Sequence, residues 1–193
     1  MAEQRVAGDE DEKLREETLD SRIAFEGVFL KLYQDTVRAA DGHVGIREYV
    51  RHPGAVAVIP LLDNGHVVLE RQFRHPLGRV MIEIPAGKID PGEPLLTCGQ
   101  RELLEETGYS AATWVHLGGF HNAFGYSDER IDVFLARDLT RERIAQDDGE
   151  VIEIFTAPWQ DVCAWIRDGV VTDVKTIIGI GWLEKWLEGK WRA

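Results

Sequence analysis

Cysteine is scarce in this chain: two in 193 residues, Cys98 and Cys163, with no C-x-x-C spacing. That argues against a disulfide-stapled scaffold and a cysteine zinc site, and leaves two reduced thiols. No apolar run approaches the roughly 20 residues that span a bilayer. The N-terminal stretch MAEQRVAGDEDEKLREE lacks the apolar segment of a secretory signal, so a cytoplasmic protein with no membrane partner is expected. Basic residues are outnumbered, 22 against 34 acidic, for a formal net charge of −12. This argues against nucleic acid as a partner, which needs a basic surface. The acidic excess serves solubility and does not exclude phosphate substrates, because a divalent metal bridges carboxylate to phosphate. Repeats and low-complexity tracts are also missing. What remains is a hydrophobic content of 44%, enough for one domain with a sizeable core.

Residues 1–20 are charged and poor in large apolar groups, and read as an acidic tail, mobile or forming a loosely attached helix. Residues 21–52 form a stranded segment, in which FEGVFLKLYQDTVRAADGHVGIREYV alternates apolar and polar positions around an Asp41-Gly42 hairpin turn. With little core of its own, it is expected to pack on the main domain or on a partner subunit. Residues 53–193 make the main domain. Strands are expected at GAVAVIPLL (54–62), HVVLERQFR (66–74) and VMIEIPA (80–86). After Pro91-Gly92 the period becomes helical through Leu95, Leu96, Leu103 and Leu104, and Gly108 is placed to end that helix. WVHLGGF, IDVFLARDL and EVIEIFTA read as further strands. A helix opens near Pro158, and a last one carries Ile177, Ile178, Trp182, Trp186 and Leu187 as its core-docking positions.

The stretch GKIDPGEPLLTCGQRELLEETGY (87–109) concentrates the chemistry. Glu102 and Glu106 are four apart on the predicted helix and share a face, with Glu105 flanking it. Carboxylates converging from one helix repel unless a cation offsets them, and they suit a hard ion such as magnesium or manganese. Arg101, four before Glu105, can pair with it and orient it. Glu93 can accept from Arg101 or from amides at the helix start. An E-x-x-E-E helix alone reads more readily as a solvated acidic face with an i,i+4 pair.

The full spacing decides the matter. Gly87, five residues, Glu93, seven residues, then Arg101-Glu102-Leu103-x-Glu105-Glu106-x-Gly108 resembles the Nudix box of the Nudix hydrolases, with every defining position filled. The resemblance implies an α/β fold, an α/β/α sandwich with a mixed sheet. It further implies hydrolysis of a nucleoside diphosphate linked to another group, with the Ala86 carbonyl, Glu102, Glu106 and Glu105 around Mg2+, or Mn2+ in its place.

Outside the box, V-R-H-P-G-A-V (50–56), R-Q-F-R (71–74), E-I-P-A-G (83–87), G-Y-S-D-E (125–129) and D-G-E-V-I-E (148–153) resemble the ADP-ribose pyrophosphatase branch. That resemblance implies cleavage of ADP-ribose to AMP and ribose 5-phosphate. Arg51 and Arg74 would contact the diphosphate, and arginine forks suit that role. Glu150 would be the loop carboxylate that acts in catalysis and at the metal, with Asp148 as its rival. Phe29 or Tyr33 of the N-terminal strands would contact the adenine, and those strands would build a homodimer. Phe124 stands where the branch has a proline. It is a candidate for stacking on sugar or base, as is Tyr126, and it keeps another nucleotide sugar such as GDP-mannose open. A non-catalytic nucleotide-binding module is the alternative of a different class. The complete set of box carboxylates argues against it.

Overall fold

The computed structural model describes residues 11–28, 30–142 and 151–191. They divide into two units: Met1–His52 with Ala123–Asp128, and Pro53–Asn122 with Glu129–Ala193.

The first unit is an antiparallel meander of β1 (Glu16–Glu26), β2 (Lys31–Ala39) and β3 (Val44–Val50). Strand β1 begins at Glu16, inside the stretch read as an acidic tail. All eleven of its residues are exposed, so neither face shows the apolar alternation that marks a strand in sequence. The Asp41-Gly42 turn forms as its residues require. Gly42 takes φ +88°, its N–H donates to the Ala39 carbonyl at 2.9 Å, and Asp41 Oδ1 accepts from the His43 amide at 2.9 Å. Buried Asp35 and Val37 come from β2. Segment 123–128 is strapped to the end of β3: the Val50 amide donates to Tyr126 O (2.9 Å) and the His52 amide to Asp128 Oδ1 (2.7 Å).

The second unit contains β4 (Ala55–Pro60), β5 (His66–Arg74), β6 (Arg79–Glu83), β7 (Ala86–Lys88), α1 (Leu95–Thr107), β8 (Tyr109–His121), β9 (Arg130–Arg141), β10 (Ile152–Pro158), α2 (Trp159–Arg167) and α3 (Val174–Leu187). A mixed sheet runs β7-β4-β9-β8, with β4 and β9 parallel. A second, antiparallel sheet runs β10-β5-β6.

Every residue of β4 is buried, which is why it reads as an unbroken apolar run. Its alternate side chains serve two layers. Ala55, Ala57 and Ile59 join a core with Val162 of α2 and Ile180 and Leu183 of α3. Val56 and Val58 join Cys98 and Leu103 of α1. The result is the expected α/β/α sandwich with a mixed sheet.

Helix α1 stops at Gly108, which adopts φ +70° and donates to the Leu104 carbonyl (2.9 Å). Helix α3 docks on the core along Thr176, Gly179, Ile180 and Leu183, with Trp182 and Trp186 packed against it as expected. Ile177 and Leu187, read as docking positions, are exposed. A Cβ at Gly179 would lie 3.1 Å from Ile84 Cδ1, so the small residue marks a close approach of helix and core. Among the described residues no helix is long and apolar enough to cross a membrane.

Candidate active site

Strand β7 passes directly under α1. A Cβ built on Gly87 would stand 1.8 Å from Glu102 Cδ, so the glycine makes room for that carboxylate. Glu102 and Glu106, one turn apart on α1, are 9% and 8% exposed. The Ala86 amide donates to Glu106 Oε2 at 2.9 Å, which ties the end of the helix to the strand. Backbone and two glutamates thus meet at Ala86-Gly87.

Arg101 binds this cluster together. Its Nε and Nη2 donate to the two oxygens of Glu93 (3.0 Å each), its Nη1 to Glu102 Oε1 (2.7 Å) and Glu105 Oε2 (3.1 Å), and its Nη2 to the Lys88 carbonyl (3.0 Å). One planar fork therefore serves three carboxylates, a geometry that lysine cannot reproduce. The Arg101 hydrogen bonds, and after them the Asp90 amide, hold the Glu93 carboxyl down to about 2. Arg101 is itself driven above its ordinary range, first by Glu93 and, against the cost of burial, by Glu102 and Glu105. Cys98 beneath them donates to Lys88 O (3.4 Å), and burial, with the Glu93 and Glu102 charges, pushes its thiol up to about 12.

A second ionic cluster lies where β5 and β6 meet α3. Arg74 Nε and Nη2 fork onto the Glu83 oxygens at 2.7 and 2.8 Å. Buried Lys175 bonds the same Glu83 Oε2 and lies 3.2 Å from Asp173 Oδ2. Glu83 stays below the ordinary carboxylate range: burial pushes it up, and Arg74 and Lys175 outweigh that. Arg74 is raised, first by its hydrogen bond to Glu83, against burial, and further by the charges of Glu83, Glu70 and Glu106.

In the first unit, Arg51 Nη2 donates to the Tyr49 hydroxyl (3.0 Å), and its guanidinium lies 4.3 Å over the Tyr33 ring. Tyr33 and Tyr49 stack at 5.8 Å, and the Tyr49 hydroxyl donates to Asp35 Oδ2 (3.1 Å). Phe124 is 86% exposed, and Tyr126 is also exposed. Phe29, Asp148 and Glu150 lie outside the described residues.

Ala86, Gly87, Glu93, Arg101, Glu102, Glu105 and Glu106 are brought together as the sequence spacing requires. The sequence reading missed Glu70, Lys175, Asp173 and Thr176, and gave Glu83 no role although it opens the E-I-P-A-G run. It also missed Asp132, buried on β9, which His116 Nε2 meets at 2.9 Å and Arg130 forks at 2.9 Å twice.

Among the described residues no three His, Cys, Asp or Glu side chains stand together as a ready-made metal cage. Arg101 engages Glu102 and Glu105, and the Ala86 amide engages Glu106. The donor set still fits a hard divalent ion. It is all oxygen, it comes from one helix face, and Gly87 leaves the space in which Glu102 reaches the backbone.

A NUDIX domain matches residues 51–175, and a nucleoside diphosphate sugar hydrolase N-terminal domain matches residues 16–50. The chain belongs to the Nudix hydrolases. This Nudix hydrolase is 37% identical over 173 residues to an ADP-ribose pyrophosphatase of Bacillus subtilis, covering 89% of this chain and 94% of the relative. It is 34% identical to a methanol dehydrogenase activator of Bacillus methanolicus, covering 88% and 92%. Its fold matches a crystal structure of an ADP compounds hydrolase with a TM-score of 0.84 at 22% identity, over 93% of this chain and 98% of that one. Nudix hydrolases generally need a divalent metal ion.

Proposed function

We propose that this Nudix hydrolase cleaves the diphosphate of ADP-ribose to give AMP and ribose 5-phosphate, with magnesium as its ion and manganese as the alternative. The observation that carries the reading is the Arg101-centred cluster of Glu93, Glu102 and Glu105, with Glu106 tied to the Ala86 amide. Similarity to an ADP-ribose pyrophosphatase across most of both chains supports the choice of substrate.

Glu102, Glu106, Glu105, Glu150 and the Ala86 carbonyl would hold the ion. When bound, it polarises phosphoryl oxygens and lowers the pKa of an attacking water. Glu105 and Glu106 on α1, and Glu150 or Asp148 in the sequence before β10, are the carboxylates assigned to take the water proton. Arg51, and Arg74 through the guanidinium edge that Glu83 does not occupy, are assigned to the diphosphate. Phe29 and Tyr33 are assigned to the base. Arg101, Glu93 and Gly87 keep the carboxylates in place.

GDP-mannose is the second reading of the substrate, which Phe124 in place of the branch's proline keeps open. The protein is assigned to the cytoplasm. A homodimer through the N-terminal strands is supported by the exposed Leu19, Ile23 and Phe25 on β1. Light scattering at low micromolar concentration is expected to give twice the 21.8 kDa chain mass, and a purely monomeric species contradicts the dimer. The substrate reading is tested by chromatography of the products from ADP-ribose and magnesium. AMP with ribose 5-phosphate supports it, and intact ADP-ribose overturns it.

A further inference from the structure

Lys175 enters the second unit from the first turn of α3 and is 8% exposed. A buried ammonium persists only with partners, and Lys175 has two, Glu83 and Asp173. Asp173 is fixed in turn as the N-cap of α3: its Oδ2 accepts from the Thr176 amide (3.0 Å) and hydroxyl (2.6 Å). Thr176 Oγ1 accepts from the Ile84 amide at 2.9 Å, so the same helical turn also grips the backbone one residue past Glu83.

Glu83 has a particular need for this hold. It lies in register with Glu70 across β5 and β6, and both are buried. Two carboxyl groups buried directly opposite each other are unfavourable wherever both are ionised. Lys175 draws the Glu83 carboxylate from the α3 side, and Arg74 occupies both of its oxygens. Three residues beyond Glu83, the Ala86 amide reaches Glu106. The angle at which Arg74 leaves Glu83 therefore fixes where the remaining edge of its guanidinium lies relative to the candidate site.

We propose that Lys175 is a positioning residue for diphosphate binding: it holds Glu83 so that Arg74 presents its free edge to the substrate. This rests on the reading of Arg74 as a diphosphate contact. Lys175 touches no substrate and acts through Glu83 alone.

The test is steady-state kinetics with ADP-ribose and magnesium for the wild type, Arg74→Ala, Lys175→Met, Lys175→Arg and the Arg74→Ala/Lys175→Met double variant. Melting curves establish that each is folded. Lys175→Met is expected to raise KM about 10-fold and change kcat by less than about 3-fold, because ground-state binding is what it loses. Lys175→Arg is expected to restore most of the KM, and the double variant to be no worse than Arg74→Ala, since the two act as one unit. Equilibrium binding of ADP-ribose without divalent metal is expected to give the same order. Glu83→Asp keeps the charge and shortens the reach, so it carries the same KM expectation where Lys175→Met does not fold. A folded Lys175→Met with wild-type KM overturns the inference and leaves the Arg74 reading standing, provided that Arg74→Ala raises KM. Unchanged KM in Arg74→Ala overturns both.

Discussion

Glu102 lies where the side chain of any residue other than glycine at position 87 would begin, with its Cδ 1.8 Å from the place of a Gly87 Cβ. The clash falls on the far end of a flexible side chain and not on backbone. Gly87→Ala is therefore expected to cost little stability, about 1 kcal/mol. It is also expected to swing the Glu102 carboxylate off Ala86-Gly87 and lower kcat about 100-fold, as a misplacement of about 1 Å does. A folded Gly87→Ala enzyme with wild-type kcat would show that Glu102 has no fixed role there.

Glu106 gives the complementary case. Glutamine in its place keeps an oxygen for the Ala86 amide and nearly the same volume, and loses the charge. Glu106→Gln is expected to lower turnover about 1000-fold while stability stays within about 1 kcal/mol. Calorimetry and initial rates on one preparation check both halves, and near-wild-type turnover contradicts the role of Glu106.

Arg101 serves Glu93, Glu102 and Glu105 with one fork. Lysine in its place carries the charge at a single point and leaves at least one carboxylate without its donor. Arg101→Lys is expected to destabilise the fold by about 2 kcal/mol and lower kcat at least about 10-fold. Chemical denaturation reads the first effect, and equal stability contradicts the bridging role.

Acid stability follows from Asp132. Burial pushes its carboxyl up, but hydrogen bonds from Arg130 and His116 outweigh that and hold it below the ordinary range. A depressed folded value means that the contribution is present above the unfolded value of about 3.9 and is lost as pH falls through the folded value. Asp132→Asn removes it. The variant is expected to be about 1–2 kcal/mol less stable at pH 7, and its deficit is expected to shrink below about pH 4. Parallel stability curves from pH 7 to pH 2 contradict this account.

What could be read in the sequence was local. The carboxylates, Arg101 and Gly87 fall within one strand-loop-helix stretch, where spacing along the chain fixes spacing in the fold. The Glu83–Lys175 pair could not be read that way, because 92 residues separate its partners and neither sits in a charged pattern. Strand β1 starts earlier than the sequence pattern suggests because its exposed faces impose no alternation. On α3, Trp182 and Trp186 pack on the core as expected, while Ile177 and Leu187 stay exposed and the small Gly179 and Thr176 take the close approach to Ile84. Asp148 and Glu150 lie outside the described residues.

The most direct test of the central claim is the initial rate of phosphate release, through a coupled phosphatase, from ADP-ribose, GDP-mannose, NADH and diadenosine polyphosphates, with and without magnesium. The account predicts magnesium-dependent turnover, fastest with ADP-ribose. A clear preference for another member contradicts the ADP-ribose assignment and points to Phe124 and its neighbours as the source of specificity. Equal rates with and without divalent metal contradict the roles assigned to Glu102, Glu105 and Glu106.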